Sequence, residues 1–273
     1  MKRADLHIHT RASDGELSPA EVVQAAAAAR LDVIAITDHD TIGGLAEALE
    51  AARGGPVRVV TGVEVSSRQG EDEIHILGYH VAPDAAPLLA HEHGALGRRQ
   101  ERAREMVRRL QGMGVTVDYE DVMRAAGTDA RAIGRPHVAR ALVARGAVRS
   151  MHEAFDRYLG DAGSAFVMTL LPPVRDAIEM IRASGGYAVW AHPDPVIFER
   201  EIHNFAEYGL AGIECFRPNT PANDAKRYRA VARELGLWAT GGSDWHGPHR
   251  NRLGDFYIDA EEVRGLLDAV PHD

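Results

Sequence analysis

Asp5-Leu6-His7-Ile8-His9 ends an apolar run that opens at Ala4, and Asp14 follows five residues later. Side chains alternate across a strand with period two, so a strand here aims His7 and His9 to one side. Two imidazoles on one face at a strand end suit a metal ion. Taken alone, the pair also fits a surface strand, so the chain must supply further donors at comparable places.

Six more apolar runs read as strands: 33–37, 58–65, 74–79, 187–191, 212–216 and 237–240. Helical patterns separate most of them, which points to an α/β chain with a parallel sheet of βαβ units. Ser18-Pro19-Ala20-Glu21 has the form of a capping box and opens a helix over 19–30. Further helices are expected over 41–53, 174–183, 223–235 and 261–270. Between the fourth and fifth strands only helical patterns occur: 97–111, 119–126, 135–145 and 152–159. The chain therefore divides into a body, 1–97 and 164–273, and a small all-helical insertion, 98–163, the size of a lid.

The 273 residues are 45% hydrophobic and 26% charged, which fits one large domain with an insertion. No apolar run approaches the roughly 20 residues of a membrane span, and the chain enters its first strand without a signal segment. The single cysteine, Cys215, excludes an internal disulfide and reads as packing; a cytoplasmic location is expected. The net charge of −9 is uneven: residues 98–149 hold 12 Arg against 6 Asp and Glu. An acidic body suits cations and a basic insert suits an anionic substrate.

Metal-ligand residue types stand at the ends of nearly all the predicted strands. They are His7, His9, Asp14, His39, Glu64, His75, His192, Asp244 and His246. In barrels of alternating strands and helices this is the face that carries active sites. One ion with an open position needs three or four donors. Nine suit two or three ions, and mixed N/O donors without thiolate favour Mn²⁺, Zn²⁺ or Fe²⁺.

Asp5-Leu6-His7-Ile8-His9-Thr10, Thr37-Asp38-His39-Asp40, Gly62-Val63-Glu64-Val65-Ser66, Ala191-His192-Pro193 and Ser243-Asp244-Trp245-His246 together resemble the motifs of the polymerase and histidinol phosphatase (PHP) family. The insert looks most like that of its TrpH-like subgroup. The resemblance implies a distorted (β/α)7 TIM-like barrel holding up to three divalent metal ions; three are expected here, Mn²⁺ first, with Zn²⁺ or Fe²⁺ as alternatives. It implies phosphoester hydrolysis, with nucleoside 3′,5′-bisphosphates such as pAp as substrates and short RNA trimmed from the 5′ end in some members. It also implies a sharing of ligands: His7, His9, Glu64 and Asp244 for one ion; Glu64, His75 and His192 for a second; Asp14, His39 and His246 for the third.

On this reading a hydroxide shared by two ions attacks phosphorus in line, and no protein nucleophile is needed. Asp244, His192 and Arg217 are the catalytic candidates. Arg135 and His137, at a helix start in the insert, are candidates for a phosphate clamp. Arg217 and Asn219, after the sixth strand, are further substrate-contact candidates. Asp38 and Asp40 flank His39; Asp40 is expected to cap the helix at Thr41, and Asp38 to orient a ligand imidazole. His80, His91, His93, His152, His203, His249 and His272 read as ordinary surface or core residues. The expected partner is a small nucleotide, with short oligonucleotides as an extension; no membrane and no obligate protein partner are indicated. Four alternatives stand beside this: a 5′–3′ exonuclease on short 5′-phosphorylated RNA or DNA, a histidinol-phosphate-type phosphatase, an amidohydrolase, and a non-catalytic metal-binding module. The amidohydrolase lacks a strand-end lysine, since Lys2 and Lys226 are the only two.

Overall fold

The computed structural model describes residues 2–127, 133–160, 162–168, 170–249 and 251–270. Its strands are β1 (Arg3–Ile8), β2 (Val33–Ile36), β3 (Arg58–Gln69), β4 (Asp72–Tyr79), β5 (Tyr187–Trp190), β6 (Gly212–Phe216), β7 (Trp238–Gly241) and β8 (Ile258–Asp259). They form one sheet in the order β7-β6-β5-β4-β3-β2-β1-β8. The sheet curls into a distorted, nearly closed barrel. Beyond β7 the chain continues the ring: Trp245 N donates to His7 O (3.3 Å) and His9 N to Trp245 O (2.9 Å).

The expected parallel sheet holds only in part. β4 runs antiparallel to both β3 and β5, and β8 runs antiparallel to β1. The cause at β4 is local, because Gly70-Glu71 turn the chain straight back and Gln69 pairs with Asp72. A two-residue hairpin can join only antiparallel strands.

The alternation of side chains sorts the core into two layers. Ile34, Ile36, Val63, Val65, Ile74, Ile76, Trp190, Ile213 and Cys215 pack outward under the helices. Ala4, Leu6, Val33, Ala35, Val60, Leu77, Tyr79, Val189 and Ala191 plug the barrel interior. Along β1 the ladder slips by one residue between Asp5 and Ile8. Leu6 packs inside and Ile8 outside, so the slip leaves both Leu6 and His7 facing inward. The strand thereby passes from apolar plug to polar site within one step.

Around the barrel lie α1 (Pro19–Ala28), α2 (Leu45–Ala52), α7 (Val174–Ala183), α8 (Pro195–Glu207) and α9 (Ala222–Glu234), with α10 (Arg264–Leu267) at the end. The capping box of α1 forms as expected: Glu21 N donates to Ser18 Oγ and Ser18 N to Glu21 Oε2. The second helix begins at Leu45 rather than Thr41, and the C-terminal helix is one turn only. The sequence reading missed α8, although Asp194 and Pro195 are a cap and a first-turn proline; Asp194 Oδ1 accepts from Val196 N and Ile197 N.

Between β4 and β5 come α3 (Ala86–Gly112), α4 (Tyr119–Ala126), α5 (Arg135–Ala144) and α6 (Met151–Ala154), the last continuing as a π turn over Phe155–Leu159. α3 starts well before Gly97, with Gly94 and Gly97 inside it. A second hydrophobic cluster, including Met106, Leu110, Val122, Val138, Leu142 and Leu159, joins these helices to one another. No helix among the described residues is long and apolar enough to cross a membrane.

Gly242, just past β7, has no room for a side chain: a Cβ there would fall on the Cβ and backbone N of His7. The obstacle is backbone, which cannot rotate away. Gly242→Ala is expected to destabilise the protein by about 3 kcal/mol, the upper end of overpacking costs. A melting temperature equal to wild type would show that β1 and β7 can part freely.

Candidate active site

Glu64, inward on β3, is the centre of the site. Its Oε2 lies 3.2 Å from His7 Nε2, His9 Nε2 and His39 Nδ1, and its Oε1 lies 2.9 Å from His75 Nδ1 and His192 Nε2. Five imidazoles thus converge on one buried carboxylate from the ends of four other strands. Asp244 Oδ1 is 3.2 Å from His9 Nε2, 3.5 Å from His7 Nε2 and 3.6 Å from His246 Nδ1. Asp14 Oδ1 is 3.4 Å from His246 Nε2. All nine predicted donors are therefore in one constellation.

His75 reaches it by a different route from the others. On the parallel strands the polar residue follows the apolar plug, as His7 follows Leu6 and His192 follows Ala191. On antiparallel β4 the order inverts, and His75 precedes Leu77 and Tyr79. His75 therefore lies in the N-terminal half of its strand, whereas the ligand residues of β1, β2, β5 and β7 stand at or beyond the C-terminal ends.

Three groups of donors stand close enough to share an ion, with their atoms within 4.8 Å of one another: His7, His9, Glu64 and Asp244; His9, Asp14, His39 and His246; and His39, Glu64 and His75. The local chemistry fits cations. Nδ1 and Nε2 of His9 and Nδ1 of His39 are buried and make no well-aligned hydrogen bond, although carboxylate oxygens lie 3.2 Å from two of them, an arrangement that costs free energy unless a cation takes up the free lone pairs. Burial alone would raise the carboxyls of Glu64 and Asp14, yet the surrounding histidines hold both well below the usual carboxylate range. Burial pushes His39 down to about 3, so its imidazole stays neutral and free to ligate. The backbone is strained here as well: His192 and Asp244 have φ of 30° and 54°, a sparsely populated region for residues with a side chain.

The surrounding residues refine several expectations. Asp40 does not cap a helix, since α2 starts four residues too late. It accepts instead from Ser66 N (2.8 Å), His91 Nε2 (2.9 Å) and Arg99 Nε (2.8 Å). His91 is thereby a hydrogen-bond partner of this buried carboxylate rather than a bystander. Asp38 orients no imidazole. It pins the loop after β1, accepting from Thr10 N (2.7 Å), Thr10 Oγ1 (2.7 Å) and Ser13 Oγ (2.6 Å). Cys215 packs in the outer layer, where burial pushes its thiol up to about 12, far from a reactive thiolate. His80 bonds Leu266 O, His152 pairs with Asp156 and His249 with Glu16. His93 and His203 are exposed, and His272 lies outside the described residues.

A cavity of about 300 Å³ opens above the donors, lined among others by Asp14, His39, Glu64, His75, His192 and Asp244 below and by Arg99, Arg102, Arg135 and Phe155 of the helical segment above. Arg217 reaches the same cavity, with Nη2 3.6 Å from Asp244 Oδ2. Asn219 lines an adjoining cavity of about 120 Å³ beside His192 and Arg217. Arg135 is in the central cavity, 3.7 Å from Glu73. His137 is buried beneath it, and its Nδ1 accepts from Gly134 N (2.9 Å) as part of a capping turn.

Sequence reasoning missed Arg99, Arg102, Glu73 and Glu214. Arg99 and Arg102 are three apart on a helix already noted as basic, and that spacing puts them on one face. Glu73 accepts from His75 Nε2 at 3.3 Å. Glu214 lies inside the barrel on β6, and its signal was a lone charge in an otherwise apolar buried strand.

Burial also pushes His137 down to about 4, against 6.5 in an unfolded chain. The unfolded state then binds the extra proton, so stability is full above 6.5 and falls as pH drops toward 4, by about 3 kcal/mol in all. His137→Asn retains an acceptor for Gly134 N. It is expected to flatten the loss of stability between those pH values, read from urea unfolding; an unchanged slope would exclude His137 as its source.

The comparisons with known proteins agree with this geometry. The PHP domain family profile matches residues 5–127. A 3′,5′-nucleoside bisphosphate phosphatase of Chromobacterium violaceum is 37% identical, over 91% of this chain and 88% of that protein. The 5′-3′ exoribonuclease Rnm of Escherichia coli is 35% identical, over 89% and 85%. Among solved structures, a candidate metal-dependent phosphoesterase from Bifidobacterium adolescentis superposes with a TM-score of 0.89 and 30% identity, over 97% and 95% of the two chains.

Proposed function

The chain belongs to the PHP domain family of metal-dependent phosphoesterases, and from that premise we infer that it releases phosphate from a nucleoside 3′,5′-bisphosphate such as pAp. One observation carries the reading. A single cavity has the donor cluster around Glu64 at one end and Arg99, Arg102 and Arg135 of the helical segment, with Glu73 beside Arg135, at the other; with divalent ions held by the donors, both ends would attract phosphate. A substrate with two phosphates uses both; a phosphomonoester of an amino alcohol uses one.

His7, His9, Glu64 and Asp244 would hold one divalent ion, Glu64, His75 and His192 a second, and Asp14, His39 and His246 a third, with Mn²⁺ the first choice and Zn²⁺ or Fe²⁺ sharing the donors. When bound, such ions supply Lewis acidity, drawing charge from phosphate oxygens and lowering the pKa of water. The chain's own residues do the rest. Asp244 is partly open to the cavity and is placed to orient the attacking water and accept its proton. Arg217, beside it, neutralises the phosphate oxygens as charge shifts to the leaving group. The imidazole of His192 is held at the cavity wall by Glu64. Arg135, with Arg99 and Arg102, binds the second phosphate. The helical stretch 98–163 acts on this view as a substrate-capping domain.

A second reading, trimming of short 5′-phosphorylated oligonucleotides, is favoured by the likeness to the Escherichia coli exoribonuclease. The arginine pole would then take the next phosphate along the strand. One assay separates the readings: phosphate or nucleotide release with added Mn²⁺ from pAp, 3′-AMP, 5′-AMP, histidinol phosphate and a 5′-phosphorylated dinucleotide. Preference for pAp supports the first reading. Preference for the dinucleotide moves the assignment to the exonuclease, and preference for histidinol phosphate overturns both.

A further inference from the structure

Glu214 is a fully enclosed carboxylate that touches two of the candidate ligands and none of the cavity. Its Oε1 lies 2.8 Å from His7 Nδ1, and its Oε2 accepts the backbone N–H of His192 at 2.7 Å. Arg217 Nε is 3.7 Å from the same Oε2. Buried carboxylates are costly unless each oxygen is engaged, and here both oxygens are engaged by residues of the site.

We propose that Glu214 is the positioning residue that orients His7 and His192 for metal binding. This rests on the metal-dependent phosphoesterase reading above. Nδ1 of His7 faces a carboxylate and therefore carries the ring proton, which leaves the Nε2 lone pair aimed at Glu64 and Asp244, 3.2 and 3.5 Å away. A ligand histidine held by a carboxylate on its far nitrogen is fixed in rotation and made more basic. At His192 the bond falls on a residue whose φ is 30°. The carboxylate there restrains strained backbone that otherwise would relax and carry the imidazole away from Glu64. Residue type matters too. β6 alternates Ile213 and Cys215 outward with Glu214 inward, and an aspartate at the same place would retract its oxygens by a methylene from both partners.

The test uses the full-length protein, freed of metal and titrated with Mn²⁺ and with Co²⁺, whose absorption reports ligand geometry. Glu214→Gln is expected to weaken the tightest site about 10- to 100-fold, the usual effect of losing such a partner, and to alter the Co²⁺ spectrum. His7→Asn removes a ligand outright and should cost at least as much, and the double variant should lose less than the sum of the two, because part of the Glu214 effect passes through the same imidazole and the rest through His192. If Glu214→Gln does not fold by circular dichroism, Glu214→Asp keeps the charge and is read in the same way. The proposal is overturned if these variants lower the melting temperature of the metal-free protein but leave affinity and spectrum unchanged. Fully additive losses in the double variant overturn the role assigned to Glu214 at His7. Should the wild-type protein bind no divalent ion, the functional reading itself fails, a result distinct from wild-type binding that Glu214 does not affect.

Discussion

Glu64→Gln is expected to lower phosphate release by about 10³-fold or more, comparable to or beyond the loss of one preorganised charge at a reacting centre. Among the described residues, Glu64 is the only carboxylate touched by His7, His9, His39, His75 and His192 together. An amide offers one acceptor and one donor in place of two charged oxygens. It can neither bridge two groups of donors nor balance their charge. Metal content after dialysis should fall along with turnover, and elemental analysis of the purified variant checks it. A Gln variant with full metal content and wild-type turnover would remove Glu64 from the centre of the site.

Asp40→Asn is expected to cost about 3–5 kcal/mol of stability, the range for breaking a buried charge pair from one side. The Arg99 guanidinium and the His91 ring are both largely buried against this carboxylate. Asp40 has a φ of 53°, which asparagine adopts readily, so the substitution removes charge without straining the turn. Burial alone would raise Asp40, but Arg99 and His91 outweigh it and hold the carboxyl well below the usual range of 3.8. A depressed carboxyl stabilises the fold fully above its unfolded pKa and loses that contribution as pH falls further. The gap between variant and wild type, measured by urea unfolding, should therefore be constant from neutral pH down to about 5 and narrow below 3.8. A constant gap at all pH values would mean that packing, not the ion pair, is at stake. Because Asp40 sits between His39 and the arginine pole, the same variant should loosen Arg99 and weaken substrate binding more than it slows the chemical step.

Much of this was legible in the chain. The residues that converge on the cavity are of ligand type and sit where apolar runs end, and a run of apolar residues is a local signal. The capping box at Ser18 was readable for the same reason. Asp40 was misread because Asp before Thr has the form of a helix cap, while its real partners lie on α3 far along the chain. The direction of β4 was misread because a hydrophobic run carries no sign. Yet the inverted order, His75 before Leu77 and Tyr79, was present as a clue, since the polar residue precedes the apolar plug only when the strand points the other way.

By itself, then, the sequence determined the alternation of strands and helices, the nine residues of ligand type that gather at the cavity and the basic character of the helical segment. These depend on composition and on periods of two and 3.6 residues, which any short window contains. The tertiary structure alone decided which donors share a carboxylate, the one-residue slip that turns His7 into the barrel, and the role of Glu214, whose contact with His7 spans 207 residues. Such pairings are set when a sheet closes on itself and every buried charge has to find a partner. That requirement acts on distances in space, and no local pattern in the chain encodes them.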